Sequence, residues 1–244
     1  MLELFADYHT HTRYSHGRGT VEDNVQAAIK RGLQEVAITD HGPANFLVGI
    51  KSPQTLDKIR SEIEACQKKY PEIKILMGVE ANIISSQGDI DIPLHYIKKL
   101  DLLLVGLHTG IIPRDVRSGV DLIAKNWISR FSTIMDKKAR NINTLAVIRA
   151  VERFPIDVIV HPGLKLNIAT PMLAEVCLRR GTALEINSSH GEKTYEYVKA
   201  AAETGVKFVI NSDAHSPKAV GRLEKGERIA RELNLGTSRI INAR

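Results

Sequence analysis

Cysteine is nearly absent: Cys66 and Cys177 are the only two in 244 residues, both in helix-like segments. Two such thiols are too few for a disulfide framework, and that absence favours a reducing, cytoplasmic setting. Aromatic residues make up only 5% of the chain, with one tryptophan, and basic and aromatic residues do not interleave. A platform for stacking nucleic-acid bases is therefore not expected. No stretch approaches the long uncharged apolar run of a membrane span. The opening "MLELFADYH" also lacks the basic and then apolar regions of a secretory signal. No low-complexity linker or shift in composition divides the sequence, so a single domain over residues 1–244 is expected. What is present suits one sizeable core: 43% hydrophobic and 25% charged residues, at a length common for single α/β barrels. The net charge of +6 favours an anionic partner. That partner could be a phosphorylated metabolite or a nucleic acid, and the charge does not identify it.

Short runs rich in Val, Ile and Leu alternate with longer amphipathic stretches. The runs are "LELFADYH", "EVAITDH", "KILMGVEANI", "DLLLVGLH", "DVIVHP", "ALEINSS" and "KFVINSDAH". Between the first two, "TVEDNVQAAIKRG" carries a cap at Thr20, an acid at Asp23 in the first turn and a stop at Gly32. Strands alternating with helices imply parallel strands joined by crossovers. Seven such units predict a closed or nearly closed barrel, with an open doubly wound sheet as the alternative. The stretch from Thr109 to Pro155 is too long for one crossover. It is expected to hold helices over 120–139 and 143–154, forming a basic insert at about 110–155. Arg114, Arg117, Lys125, Arg130, Lys137, Lys138 and Arg140 lie there, as a solvated face, a lid or a docking surface.

Six of the seven runs end in a residue type that binds metal. These ends are His9 with His11, Asp40-His41, Glu80, His108, His161, and Asp213 with His215. In α/β barrels the C-terminal strand ends are where sites are assembled. Residues two apart on an extended segment point the same way, so His9 and His11 can grip one ion, as can Asp213 and His215. His16 follows in the next loop, far enough along to reach a second ion. Imidazole with carboxylate suits Zn²⁺, Mn²⁺ or Fe²⁺. Nine candidates, His9, His11, His16, His41, Glu80, His108, His161, Asp213 and His215, exceed the needs of one ion, and Glu80 is a natural bridge. His95 falls outside the pattern and is expected to be structural or exposed. His190 could line the mouth as a substrate contact, and Arg18 is a candidate for phosphate. Asp7, Glu185 and Asn187 are expected to orient ligands through hydrogen bonds.

The ordered set "DYHTHTRYSHG", "ITDHGP", "GVEANI", "GLHTG", "IVHPG", "LEINSS" and "NSDAH" closely resembles the PHP (polymerase and histidinol phosphatase) family. It is most similar to the stand-alone bacterial YcdX-like phosphoesterases, and the likeness runs from Asp7 to about His215. The resemblance implies an α/β fold, a distorted seven-stranded (β/α)7 TIM-like barrel, with a trinuclear metal centre at its C-terminal mouth. By motif, His9, His11, Glu80 and Asp213 would hold one ion, and His16, His41 and His215 a second. Glu80 would bridge to a third held with His108 and His161. The insert is longer than in compact relatives, which leaves substrate preference open.

No nucleophile elbow and no P-loop is present, so hydrolysis by a metal-activated water is the expected chemistry. Asp213 and His215 are the candidates for proton transfer. The leading expectation is a metal-dependent phosphoesterase acting on a small phosphomonoester, with three divalent ions, Zn²⁺ first and Mn²⁺ or Fe²⁺ as alternatives. Other readings are a histidinol-phosphate phosphatase, a 3′→5′ exonuclease or phosphodiesterase, and a non-catalytic barrel stabilised by metal. A homo-oligomer stays open.

Overall fold

The computed structural model describes residues 2–244. Its strands are β1 (Ala6–Asp7), β2 (Glu35–Ile38), β3 (Lys74–Asn82), β4 (Leu102–Gly106), β5 (Val158–Ile159), β6 (Ala183–Asn187) and β7 (Phe208–Asn211). They form one parallel sheet in the order β1 to β7. The helices between them are α1 (Val21–Lys30), α2 (Thr55–Lys69), α3 (Leu94–Ile97), α4 (Val116–Gly119), α5 (Lys125–Ile128), α6 (Thr133–Arg153), α7 (Thr170–Arg180) and α8 (Tyr195–Ala202). Helix α9 (Glu224–Glu232) follows the last strand. All seven expected runs contain a strand, although β1 and β5 keep ladder pairing over only two residues each. Among the described residues no helix is long and apolar enough to cross a membrane.

Helix α1 starts as its sequence suggests. The Thr20 side chain accepts from the Asp23 N–H while the Asp23 carboxylate accepts from the Thr20 N–H, so two otherwise unpartnered donors are satisfied. Two apolar layers hold the sheet. Small and branched residues (Ala6, Ala37, Leu104, Val158, Val160 and Val209) fill the inside of the barrel together with Tyr8. A larger core, including Ile38, Leu56, Val105, Leu173 and Phe208, joins the outer strand faces to the helices.

The sheet curls until β7 meets β1, and the seam is closed at both ends. Near the mouth, Thr10 and Ala214 form a parallel bridge, with the His11 N–H donating to the Ala214 carbonyl at 2.8 Å. At the other end the fully buried Asn242 stitches the two strands. Its Nδ2 donates to the carbonyls of Ala6 and Ile210, and its Oδ1 accepts from the Ile210 N–H. The nearly closed barrel is therefore observed, its seam joined by one isolated bridge and by Asn242 rather than by a β7–β1 ladder, and the open doubly wound sheet is not.

The insert differs from its expected division. Instead of a break near residue 140, one helical run covers α4, a π turn (Val120–Ala124), α5 and a 3-10 turn (Ser129–Phe131). The chain then breaks at Ser132, which turns extended and caps α6 through the Met135 N–H. Helix α6 runs unbroken for 21 residues through the polar "DKKARNIN". Two amides explain why that polar stretch stays helical: Asn126 and Asn143 are both buried and exchange reciprocal 2.8 Å hydrogen bonds between α5 and α6. A polar residue that reads as a break in sequence thus faces the body of the protein.

Candidate metal centre

The strand ends converge on one point at the mouth. Glu80 rises from β3 two steps beyond Gly78 and four beyond Leu76, a residue that packs against the barrel interior. Around its buried carboxylate gather imidazoles from four other loops. His9 Nε2 lies 3.3 Å from Glu80 Oε2 and 3.1 Å from His11 Nε2, and Asp213 Oδ1 is 3.3 Å from the latter. On the opposite side, His108 and His161 each place Nε2 at 3.0 Å from Glu80 Oε1 and at 3.4 Å from one another. His16 completes the near wall, its ring 4.1 Å from that of His215 and 5.0 Å from that of His41. All nine side chains named from sequence therefore meet in one cluster. Donor atoms close enough to share an ion occur in four overlapping groups. These are His9, His11 and Glu80; His11, His16 and His41; His11, Asp213 and His215; and His41, Glu80 and His108.

Local structure sets these positions. The loop carrying His11 and His16 is tied by Asp40, whose carboxylate accepts from the Thr12 N–H at 2.7 Å and from its hydroxyl at 2.6 Å. Asp40 ends its strand as expected but serves as an anchor, turned away from the cluster. Gly17 is required there: a Cβ would sit 2.4 Å from the His11 carbonyl oxygen. His161 and Asp213 adopt φ of 32° and 52°, a left-handed conformation that strains residues bearing a Cβ. Strain of that kind collects where a side chain must be aimed at a functional point.

Partners behind the cluster fix ring orientation. Glu185 Oε1 accepts a hydrogen bond from the His9 Nδ1–H at 2.6 Å, and its other oxygen accepts from the His161 N–H at 2.9 Å. Asn187 Nδ2 donates to Asp213 Oδ2 at 3.1 Å. Asp7 accepts from the Ser212 and Gly221 N–H groups and so braces the strand end that bears Asp213. These are the orienting roles expected of Asp7, Glu185 and Asn187. Asn82, which sequence reasoning missed, accepts from the His108 Nδ1–H on its Oδ1 at 2.7 Å. Its signal was available, since it lies two residues past Glu80 on the same strand face.

Burial disfavours charge on all of these groups. At His11 burial, helped by His41, holds the imidazole well below its usual range. Burial also lowers His108 against the pull of Glu80, and burial with His215 and His41 brings His16 down to about 4. At Glu80 burial acts the other way but is overcome by His41, His9 and His108; at Asp213 it is overcome by His9 and His11. Both carboxyls stay well below the carboxylate range. His9 and His161 are the exceptions: Glu185, Glu80 and Asp213 outweigh burial and raise His9 strongly, and Glu80, with Glu185 and Asp213, outweighs burial at His161.

Carboxylates held ionised beside a ring of imidazoles form a donor set suited to a divalent cation. The hydrogen-bond inventory agrees. Among the described residues the buried side-chain atoms with no partner are His11 Nδ1, His41 Nδ1, Glu80 Oε2 and Asn24 Oδ1. Three of the four belong to the cluster. His41 Nδ1 even lies 2.6 Å from Glu80 Oε2 without the direction of a hydrogen bond. Buried polar atoms are rarely left unpaired, and a shared cation would satisfy these.

The cluster opens into a cavity of about 390 Å³ lined in part by His16, His41, His108, His161, Asp213 and His215. His190 also lines it, with Nε2 3.6 Å from Asp213 Oδ2. Arg18 does not: it is exposed, and its backbone N–H instead holds the His215 carbonyl at 3.0 Å. The one lysine or arginine among the described residues lining the cavity is Lys165, in the loop after β5. Sequence reasoning missed Lys165, since no strand-end pattern marks it. His95 lies exposed on α3, away from the cluster.

A family model described as "PHP domain" matches residues 7–234. The chain is 30% identical to a probable phosphatase of Thermoanaerobacter sp. strain X514, covering 99% of this chain and 91% of that protein. It is 31% identical to a probable phosphatase of Caldanaerobacter subterraneus subsp. tengcongensis, covering 99% and 88%. Its fold is similar to that of histidinol phosphate phosphatase from Lactococcus lactis subsp. lactis, a structure solved with zinc, L-histidinol and phosphate. That likeness has a TM-score of 0.65 at 16% identity and covers 95% of this chain and 94% of the other.

Proposed function

The chain belongs to the PHP family, and on that premise we propose that it is a metal-dependent phosphoesterase that hydrolyses a small phosphomonoester at the barrel mouth. The observation that carries this reading is the convergence of nine nitrogen and oxygen ligand side chains beneath one open cavity. His9, His11, Glu80 and Asp213 would hold one ion, His16, His41 and His215 a second, and Glu80, His108 and His161 a third. The donor types suit Zn²⁺, Mn²⁺ or Fe²⁺. When bound, such ions acidify water and neutralise charge on phosphoryl oxygens.

The protein's own side chains supply the rest. Lys165 is placed to meet a phosphoryl oxygen from the rim, and His190 faces the same space from the loop after β6. A phosphate anion gains from both contacts as it enters a largely buried site. Asp213, held ionised, can accept a proton from the attacking water on a carboxylate oxygen. The His215 Nδ1 proton is fixed on the Asp213 carbonyl at 2.8 Å, which leaves Nε2 available to the cluster. Glu185 keeps His9 in one orientation throughout.

Phosphate release from an aryl phosphomonoester and from histidinol phosphate tests this reading. Zn²⁺- or Mn²⁺-loaded protein is compared with chelated protein and with Asp213→Asn. Turnover is expected to fall at least about a thousandfold in both comparisons, in line with losing a metal-activated nucleophile. Turnover that survives chelation, or none at all with a full metal complement, would overturn it.

A further inference from the structure

Beside the mouth lies a second hollow of about 180 Å³, formed where the insert's first helical run passes the loops after β4 and β5. Leu122 and Leu166 are its buried floor and Ile123 and Trp127 its exposed wall, while Asn126 and the exposed Arg130 complete its rim. Thr109 lines both this hollow and the main cavity, one residue beyond His108. Lys165 of the main cavity precedes Leu166 of the hollow. The two spaces therefore share walls on two loops.

Three further features distinguish the hollow from ordinary surface. Trp127 is 61% exposed, although large apolar groups in contact with water usually mark a binding surface when they rim a concavity. The π turn at Val120–Ala124 carries both Leu122 and Ile123, and such turns occur often at functional sites. The volume also fits: a cavity of roughly 150 Å³ admits a benzene ring.

We propose that this hollow is a subsite for the apolar part of the alcohol esterified to phosphate. The substrate class is then phosphomonoesters bearing an aryl or branched aliphatic group, with that group against Trp127 and the phosphoryl group in the mouth. The proposal rests on the phosphomonoesterase reading and narrows it. An apolar contact of one ring's size discriminates by about tenfold or more.

The test compares 2-phenylethyl phosphate with ethyl phosphate, whose alcohols have similar acidity, so that chemistry does not mask binding. The wild-type protein is expected to prefer the phenylethyl ester at least about tenfold in kcat/KM, and Trp127→Ala to bring that ratio close to one. Val116→Ser, exposed in the same helical run but outside the hollow, retains the preference. Trp127 is the only tryptophan in the chain, so its emission reports occupancy without turnover. It should shift with 2-phenylethylphosphonate and not with ethylphosphonate. No preference in the wild type, or a preference unaltered in Trp127→Ala, overturns the subsite while leaving phosphatase activity in place. If neither ester is hydrolysed, the aryl-phosphate and histidinol-phosphate assays decide the phosphomonoesterase reading, and where that reading stands the emission titration decides the subsite: a shift keeps it and no shift removes it. Emission that depends on protein concentration without ligand, together with an effect of Val116→Ser, would give this face to a second copy of the chain and overturn the proposal.

Discussion

Buried polar groups sit at both ends of this barrel, and the two ends treat them differently. At the closed end Asn242 is buried with both side-chain atoms hydrogen-bonded, and the backbone it touches is satisfied in return. At the mouth Glu80, His11 and His41 are buried too, yet each keeps an atom with no partner. A polar group that only joins strands is stable when its hydrogen bonds are complete. A donor set must leave lone pairs unspent, and here the surrounding partners are themselves engaged: Glu185 with His9, Asn82 with His108, and Asp40 with the loop that carries His11. The contrast separates a staple from a site without reference to any relative.

Three substitutions can break or sharpen that contrast. The largest effect is expected from Glu185→Gln, which removes the charge behind His9 and leaves the barrel's packing intact. Metal affinity should fall by about 10–100-fold, measured by competition with a chromophoric chelator. An unchanged affinity would mean that His9 needs no orienting partner. Asn242→Ala should do the opposite. It strands buried carbonyl and amide groups at the seam and costs about 2 kcal/mol of unfolding free energy in denaturant titration. Its bound-metal count should stay that of the wild type, and a lower count would show that the seam and the mouth are not independent.

The smallest effect is a slope. His16 is held down to about 4 in the folded protein, against about 6.5 for an unperturbed histidine. Between those values the unfolded chain binds a proton that the native chain refuses, so His16 removes stability as pH falls from about 6.5 to 4. In metal-stripped protein, His16→Gln should therefore lose Tm less steeply than wild type over that window. Parallel pH profiles would show that His16 is not desolvated in the folded state.

Much of this was legible in the residues. Seven apolar runs, each at the right distance from the next, mark the strands because parallel strands buried on both faces read as continuous Val, Ile and Leu. The nine ligand candidates were legible because a ligand must stand at a strand end, and strand ends show in the pattern. Lys165 and the hollow at Trp127 were not legible. They lie in loop and insert, where position is set by what the segment packs against and not by any period in the sequence. The break at Ser132 was misplaced for a related reason: Asn143 reads as polar surface until Asn126 is brought opposite it.

The sequence by itself determined the alternation of strand and helix, and with it the order of the candidate ligands around the barrel, because periodicity and strand-end chemistry are local. Only the tertiary structure decided that the sheet closes, that Glu80 stands among four other loops, and that Thr109 joins the mouth to an apolar hollow. Those are contacts between residues far apart in the chain, and no local pattern encodes them.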